Sequence, residues 1–390
     1  MKKNLFKSLL TMCTLGAMFT ACSNEGNEVP DVTKGEKKTV FMKLDLRPQS
    51  RATEDALGTV TAQVNDLHIY FYENGTGNIQ KYLKVNGTTT PSITDLSTGA
   101  QITDVPAVAD KVLVRGNVPA GVSMPIGGAI SGVENKQIEI TTQNNKDQII
   151  LGHLATDIQT WGGVGVAPIT GMQSGDKYAN VQLEPGVARI ELEGLEAQGV
   201  VINAFKLDGI YVTNFFEKLR LGDGTSSSKI QYGTDVSKYA ESAAGTIYNA
   251  PNTHLYDQFA APMAGSGNPL AVIPNGGGTK RWAYHAFPND ATTANDQLQL
   301  VFKLSNVTAD PSSGVTFPVG TPQFLTVRGF KDSGTGNIVK LEKGKIYTIS
   351  KADFKFDESN LTTVPNTNAV GVWLKVTVKP WTVVAVKPNL

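Results

Sequence analysis

The alternation of apolar and polar positions is clearest at the two ends of the chain. In "TVFMKLDLRP", Val40, Met42, Leu44 and Leu46 form one apolar face, with Thr39, Lys43, Asp45 and Arg47 on the other. From Val370 the same period returns. Val370, Val372, Leu374, Val376 and Val378 alternate with Gly371, Trp373, Lys375, Thr377 and Lys379. A period of two predicts half-buried strands at both places. After Pro380, the run from Trp381 through Val383 to Val386 is almost wholly apolar and predicts a second strand buried on both faces. Chain ends are usually polar and frayed, and an apolar strand without a partner invites aggregation. What the terminal strands pair with is the question the pattern poses.

Between these ends the pattern predicts strands separated by turn residues. Residues 59–85 read as a hairpin with Asn74, Gly75 and Gly77 in its turn, and 111–119 as a strand ended by Pro119. The stretch 120–180 is glycine-rich and irregular, with "WGGVGVAP" in loops. Two strand-like segments follow in 178–199 around Pro185-Gly186, then a strand or long hairpin arm over 201–221. Residues 222–280 read as loops with a short helix around 253–260. Strands resume at 281–288, 296–307 and 323–356. Many strands with turns between them predict an all-β chain of two β-sandwiches, with a boundary at Pro185. The predicted organisation is a signal peptide (1–21), an N-terminal segment carrying the first strand (22–51), sandwiches over 52–185 and 186–368, and terminal strands over 369–390.

Composition changes the picture mainly at the start. The net charge is zero, which gives no reason to expect a nucleic-acid partner. Lys2, Lys3 and Lys7 precede a short apolar run from Leu9 to Phe19, a secretory signal too short to span a membrane. "FTAC" at 19–22 resembles the lipobox of bacterial lipoproteins, which makes Cys22 the lipidated first residue after export; the alternative is plain signal cleavage with Cys22 incidental. The other cysteine, Cys13, lies within the signal, so the exported body has no disulfide. Behind the first strand, Arg47-Pro48 is a poor protease site because proline restricts the backbone. Arg51-Ala52 lies in a small, polar context of the kind proteases prefer. From the local sequence alone, Arg51 is either a processing site or an ordinary loop arginine.

Catalytic chemistry is hard to assemble from this chain. His68, His153, His254 and His285 are scattered without metal-ligand spacing, and His68 reads as a sandwich-surface residue. "NGGGTKR" at 275–281 does not satisfy a phosphate-loop pattern. Glu191 and Glu193 share one face of a strand and read as a solvated stripe. The expectation is a protein that is not an enzyme, with no cofactor and no metal.

Together the signal ending "TAC", "KLDLRPQSRAT", "VARIEL" at 187–192 and "KVTVKPWTVV" make the chain resemble the fimbrillin family, the major subunits of Bacteroidales type V pili. The resemblance covers nearly the whole chain. It implies two transthyretin-like sandwiches and a lipoprotein precursor carried to the outer membrane, then a place in a cell-surface fimbrium supporting adhesion. Cys22 would be the lipid (palmitate) site and Arg51-Ala52 the bond cut by an Arg-specific protease, which would make 22–51 a propeptide. The strand 39–47, with Val40, Met42, Leu44 and Leu46, would be released. Residues 369–390 would be the donor that replaces it in another copy, giving a head-to-tail homopolymer with anchor and tip subunits as further partners. The competing expectation is an outer-membrane-anchored lipoprotein that binds glycans or host proteins, keeps Arg51 uncut and folds its terminal strands back on itself.

Overall fold

The computed structural model describes residues 35–45, 62–145, 147–152, 154–274, 280–293, 296–367, 369–380 and 383–385. The architecture is all-β. The first part contains β1 (Lys37–Asp45), β2 (Ala62–Val64), β3 (Asp66–Tyr72), β4 (Ile79–Asn86), β5 (Ala100–Pro106) and β6 (Lys111–Gly116). It continues with β7 (Gln137–Glu139), β8 (Leu151–Gly152), β9 (Thr156–Asp157), β10 (Gln159–Thr160), β11 (Lys177–Gln182) and β12 (Glu184–Pro185). One sheet runs β10-β11-β1-β5 and a second runs β12-β8-β6-β3-β4, with β9 added on β6. Val40, Met42, Ala179 and Val181 from the first sheet and Leu67, Ile69, Phe71, Val112 and Val114 from the second meet in the main core. The opposite face of β3 is buried too, since Tyr70 and Tyr72 pack with Leu113, Ile130 and Val133.

The chain then changes sheets. The second part contains β13 (Ala188–Leu192), β14 (Leu195–Ala197), β15 (Ile202–Thr213), β16 (Phe215–Arg220), β17 (Ser226–Ile230), β18 (Tyr256–Ala264), β19 (Ala271–Val272) and β20 (Trp282–Ala286). Then come β21 (Gln299–Ala309), β22 (Gln323–Asp332), β23 (Lys345–Ile349), β24 (Lys355–Phe356), β25 (Leu361–Thr362), β26 (Val372–Pro380) and β27 (Val383–Ala385). Its main sheet runs β18-β15-β21-β22-β26-β23-β13-β20, with β25 added on β22, and a small sheet β19-β14-β24 lies beside it. The predicted arm at 201–221 is broken at Asn214, whose φ of 59° turns the chain from β15 into β16. The helix expected around 253–260 is instead the start of β18. Tyr256, Asp257 and Gln258 pair with Tyr211, Ile210 and Gly209, so a long strand edge captured a segment too short to hold a helix.

The two parts are fastened together, and Glu36–Leu390 forms one compact unit. β7 pairs with β16 across the junction. The Arg115 guanidinium, buried and pushed down to about 10 by that burial, donates from Nε to the Leu221 carbonyl at 2.9 Å. His254 Nε2 meets the Ile140 carbonyl at 2.9 Å and His285 Nδ1 the Gln143 carbonyl at 2.7 Å.

Candidate strand-exchange site

β1 is an interior strand. It runs parallel to β11, with Val40 opposite Lys177 and Asp45 opposite Gln182, and antiparallel to β5, with Met42 opposite Ala100. Its start is tied down by Ala107 N–H donating to the Glu36 carbonyl at 2.7 Å. Lys38 Nζ donates to the Ala107 carbonyl at 3.0 Å and also to that of Ala109. Burial, with help from Lys177, holds the Lys38 ammonium below the usual lysine range. Val40, Met42 and Leu44 are buried in the core, as the alternation predicts.

The sequence pattern passes over Phe41. On the outward face of β1 it is only 8% exposed, packed with Ile169 and Met172 and flanked by Trp161, Ala167 and Tyr178. All but Tyr178, which lies opposite Phe41 on β11, come from the segment joining β10 to β11, part of the stretch that read as irregular. Four apolar side chains of one strand are therefore sequestered, worth on the order of 6–12 kcal/mol as an upper bound.

β26 has the same setting. It runs parallel to β22 and antiparallel to β23. "VFMKL" at 40–44 and "VWLKV" at 372–376 share one pattern: apolar, aromatic, apolar, lysine, apolar. Leu374 and Val376 are buried, Val372 and Val378 half-buried, and Lys375 and Thr377 exposed. Trp373 is outward like Phe41, with the Arg328 guanidinium 5.3 Å and Lys331 Nζ 5.2 Å from its ring centroid. Opposite it stands Gly329, where a Cβ would lie 2.6 Å from the indole and 2.0 Å from Gln297 Oε1.

This placement bears on the expected donor. Val372, Leu374, Val376 and Val378 complete a sheet of their own chain, flanked on both sides, and Val370 lies in the turn before it. Withdrawing them would split that sheet. β27 is placed differently: Val383, Val384 and Ala385 run parallel to Ala62, Gln63 and Val64, a three-residue pairing on one side. Cys22, Leu46, Arg51, Ala52 and Trp381 lie outside the described residues.

Two readings of charged and polar residues are corrected. Glu191 is fully buried, bound by Arg189 Nε at 3.0 Å and Arg281 Nη1 at 2.8 Å, while Arg281 Nη2 reaches Glu193 at 2.6 Å. The strand has a neighbour on each side and a covering arginine, so Glu191 is enclosed rather than solvated, while Glu193, just past the strand's end, keeps 35% of its side chain exposed. His68, read as a surface residue, is 9% exposed and hydrogen-bonds the Tyr82 hydroxyl at 2.9 Å. The sequence also gave no sign that His254 and His285 meet; their ring centroids are 5.9 Å apart.

A protein assigned to cell adhesion from Bacteroides eggerthii DSM 20697 superposes on the chain with a TM-score of 0.53 at 18% identity, covering 93% of this chain and 100% of its own. The chain has the fold of that Bacteroides protein. A fimbrilin from Porphyromonas gingivalis W83 aligns over 89% of this chain and 98% of its own, with a TM-score of 0.48 at 14% identity. A further protein assigned to cell adhesion, from Parabacteroides distasonis ATCC 8503, covers 90% and 98% with a TM-score of 0.49 at 14% identity. No protein-family model and no curated protein matches the sequence.

Proposed function

We propose that the chain is a structural stalk subunit of a cell-surface pilus that polymerises by strand exchange. The precursor is anchored through Cys22, an Arg-specific protease cuts Arg51-Ala52, β1 leaves, and a terminal segment of another copy takes its slot. The observation that supports this best is β1 itself. It is the most N-terminal described strand, yet it sits inside a sheet, and a cut at Arg51 would leave it held without covalent bonds. A slot with a hydrogen-bonding edge on each side and apolar sockets beneath suits β-augmentation. A donor that crosses to a neighbour makes a head-to-tail contact, which propagates as a filament. Because β26 completes its own sheet, we assign the exchanging donor to the segment beyond Pro380.

The cis pairing of β26 and β27 favours a second reading, an anchored lipoprotein that binds glycans or host proteins without polymerising. Protein sheared from cells separates the two. The pilin reading expects filaments whose subunits begin at Ala52, and an Arg51→Ala variant that stays unpolymerised. A lipidated monomer beginning at Cys22, or normal filaments from Arg51→Ala, would overturn it.

A further inference from the structure

We propose that the tip of the β10–β11 hairpin, residues 161–176, is a strap that crosses β1 and must open before that strand can be exchanged. This rests on the reading of β1 as the exchanged strand. The hairpin rises from one flank of β1, since the sheet order is β10-β11-β1-β5. Its base is closed by Trp161 N–H donating to the Asp176 carbonyl and Gly175 N–H to the Trp161 carbonyl, each at 2.9 Å. The tip passes over the outer face of β1, where Ile169 and Met172, 2% and 6% exposed, cover Phe41. It lands on the far flank at Gly99, the residue before β5. A Cβ on Gly99 would lie 2.3 Å from Ile169 Cγ2, so beside an isoleucine at 169 glycine is what lets the strap seat, and the φ of 112° there also favours glycine.

The inner sockets are filled by Val40, Met42 and Leu44, but they are not what blocks an outward departure of the strand; the strap is. The socket under it also constrains the replacement. A second copy's strand that presents an apolar side chain outward at the Phe41 register lets Ile169 and Met172 reseat, whereas a polar one leaves them uncovered. The strap thus acts as a retaining element before exchange and as a check on register after it.

A reversible lock tests this. A Cβ at position 99 would lie 3.6 Å from Ile169 Cβ, within the roughly 3.5–4.5 Å span of ordinary disulfides. Gly99→Cys with Ile169→Cys, in full-length precursor carrying Cys13→Ser and Cys22→Ser, should tie the strap across β1. The protein is cut with an Arg-specific protease, and replacement of the resident strand by a fluorescent peptide copying residues 36–47 is followed. Oxidised protein should not exchange, and reduction should restore exchange. Ile169→Ser, which loosens the strap without a disulfide, should exchange roughly ten- to hundredfold faster than wild type, the range expected from losing most of one buried apolar side chain. Equal rates in oxidised and reduced protein, or an unchanged rate in Ile169→Ser, would overturn the strap. A cut wild type whose β1 never exchanges, even with excess peptide, would instead remove the exchange reading on which the strap depends.

Discussion

Val376→Asp separates the two segments at the C-terminal end. Val376 is fully buried in the middle of β26, with β22 and β23 on either side. Losing its apolar burial costs about 1.5–3 kcal/mol, and an unpaired carboxylate in that place costs several more. The sum is a large share of the roughly 5–15 kcal/mol that holds a typical domain together. The variant should therefore fail to fold, rather than fold and merely stop filament growth. Thr377 is exposed on the opposite face, so Thr377→Asp should change stability by no more than about 0.5 kcal/mol. Deleting residues 381–390 removes the three-residue pairing of β27 with β2, a few hydrogen bonds worth about 0.5–1.5 kcal/mol each. That deletion should leave a folded subunit that accepts strands but donates none. Urea unfolding followed by circular dichroism measures the first effect, and electron microscopy of protease-cut protein the second. A Val376→Asp chain with a near-wild-type urea midpoint would refute the central placement of β26. Full-length filaments from the truncated chain would refute the assignment of the donor beyond Pro380.

Acid should set a buried histidine against a half-buried aspartate. Burial pushes His254 down to about 4 from 6.5, so between these values the unfolded chain binds more protons and stability falls by about 3 kcal/mol as pH drops. Burial raises Asp257 from 3.8 to about 7 despite the Tyr284 hydroxyl at 2.6 Å; there the folded chain binds more protons, and stability rises by about 4 kcal/mol as pH drops through that window. The change in urea midpoint on going from pH 7 to 4.5 should thus be more positive than wild type's in His254→Gln and more negative in Asp257→Asn, and changes displaced in the same sense would contradict the assignment. Glu191→Gln removes the carboxylate that neutralises buried Arg189 and should cost about 3–5 kcal/mol, read as a lower urea midpoint; a midpoint within about 1 kcal/mol of wild type would argue against the buried pair. Cys22→Ala should abolish incorporation of labelled fatty acid, and continued labelling of that variant would rule out the lipoprotein assignment.

The strands at 37–45, 66–86 and 372–380 were legible because each carries its own period of two, a local property. Their partners were not, because pairing is a long-range matter: Val40 lies opposite Lys177, and Ile346 opposite Lys379. Phe41 escaped notice for a related reason. In an alternating strand it occupies the solvent side, and the residues that cover it stand more than a hundred positions away. The same distance hid the environment of Glu191. "VARIEL" alternates like a strand with one wet face, and nothing nearby reveals that Arg281 closes over it. The stretch 120–180 looked featureless since its order comes from backbone bonds and one tight landing at Gly99, neither of which leaves a periodic trace.

The interior position of β1 has a consequence for timing. Cutting the chain behind the strand removes a covalent link but none of the ladder bonds, sockets or covering residues that hold it. On the proposed mechanism a subunit cut there would therefore stay closed until a second copy arrives. An empty slot, with two bare sheet edges over an open core, is the costly state. Exchange should then proceed with the newcomer entering as the old strand departs, so that the rate of filament growth follows the supply of donors rather than the activity of the protease.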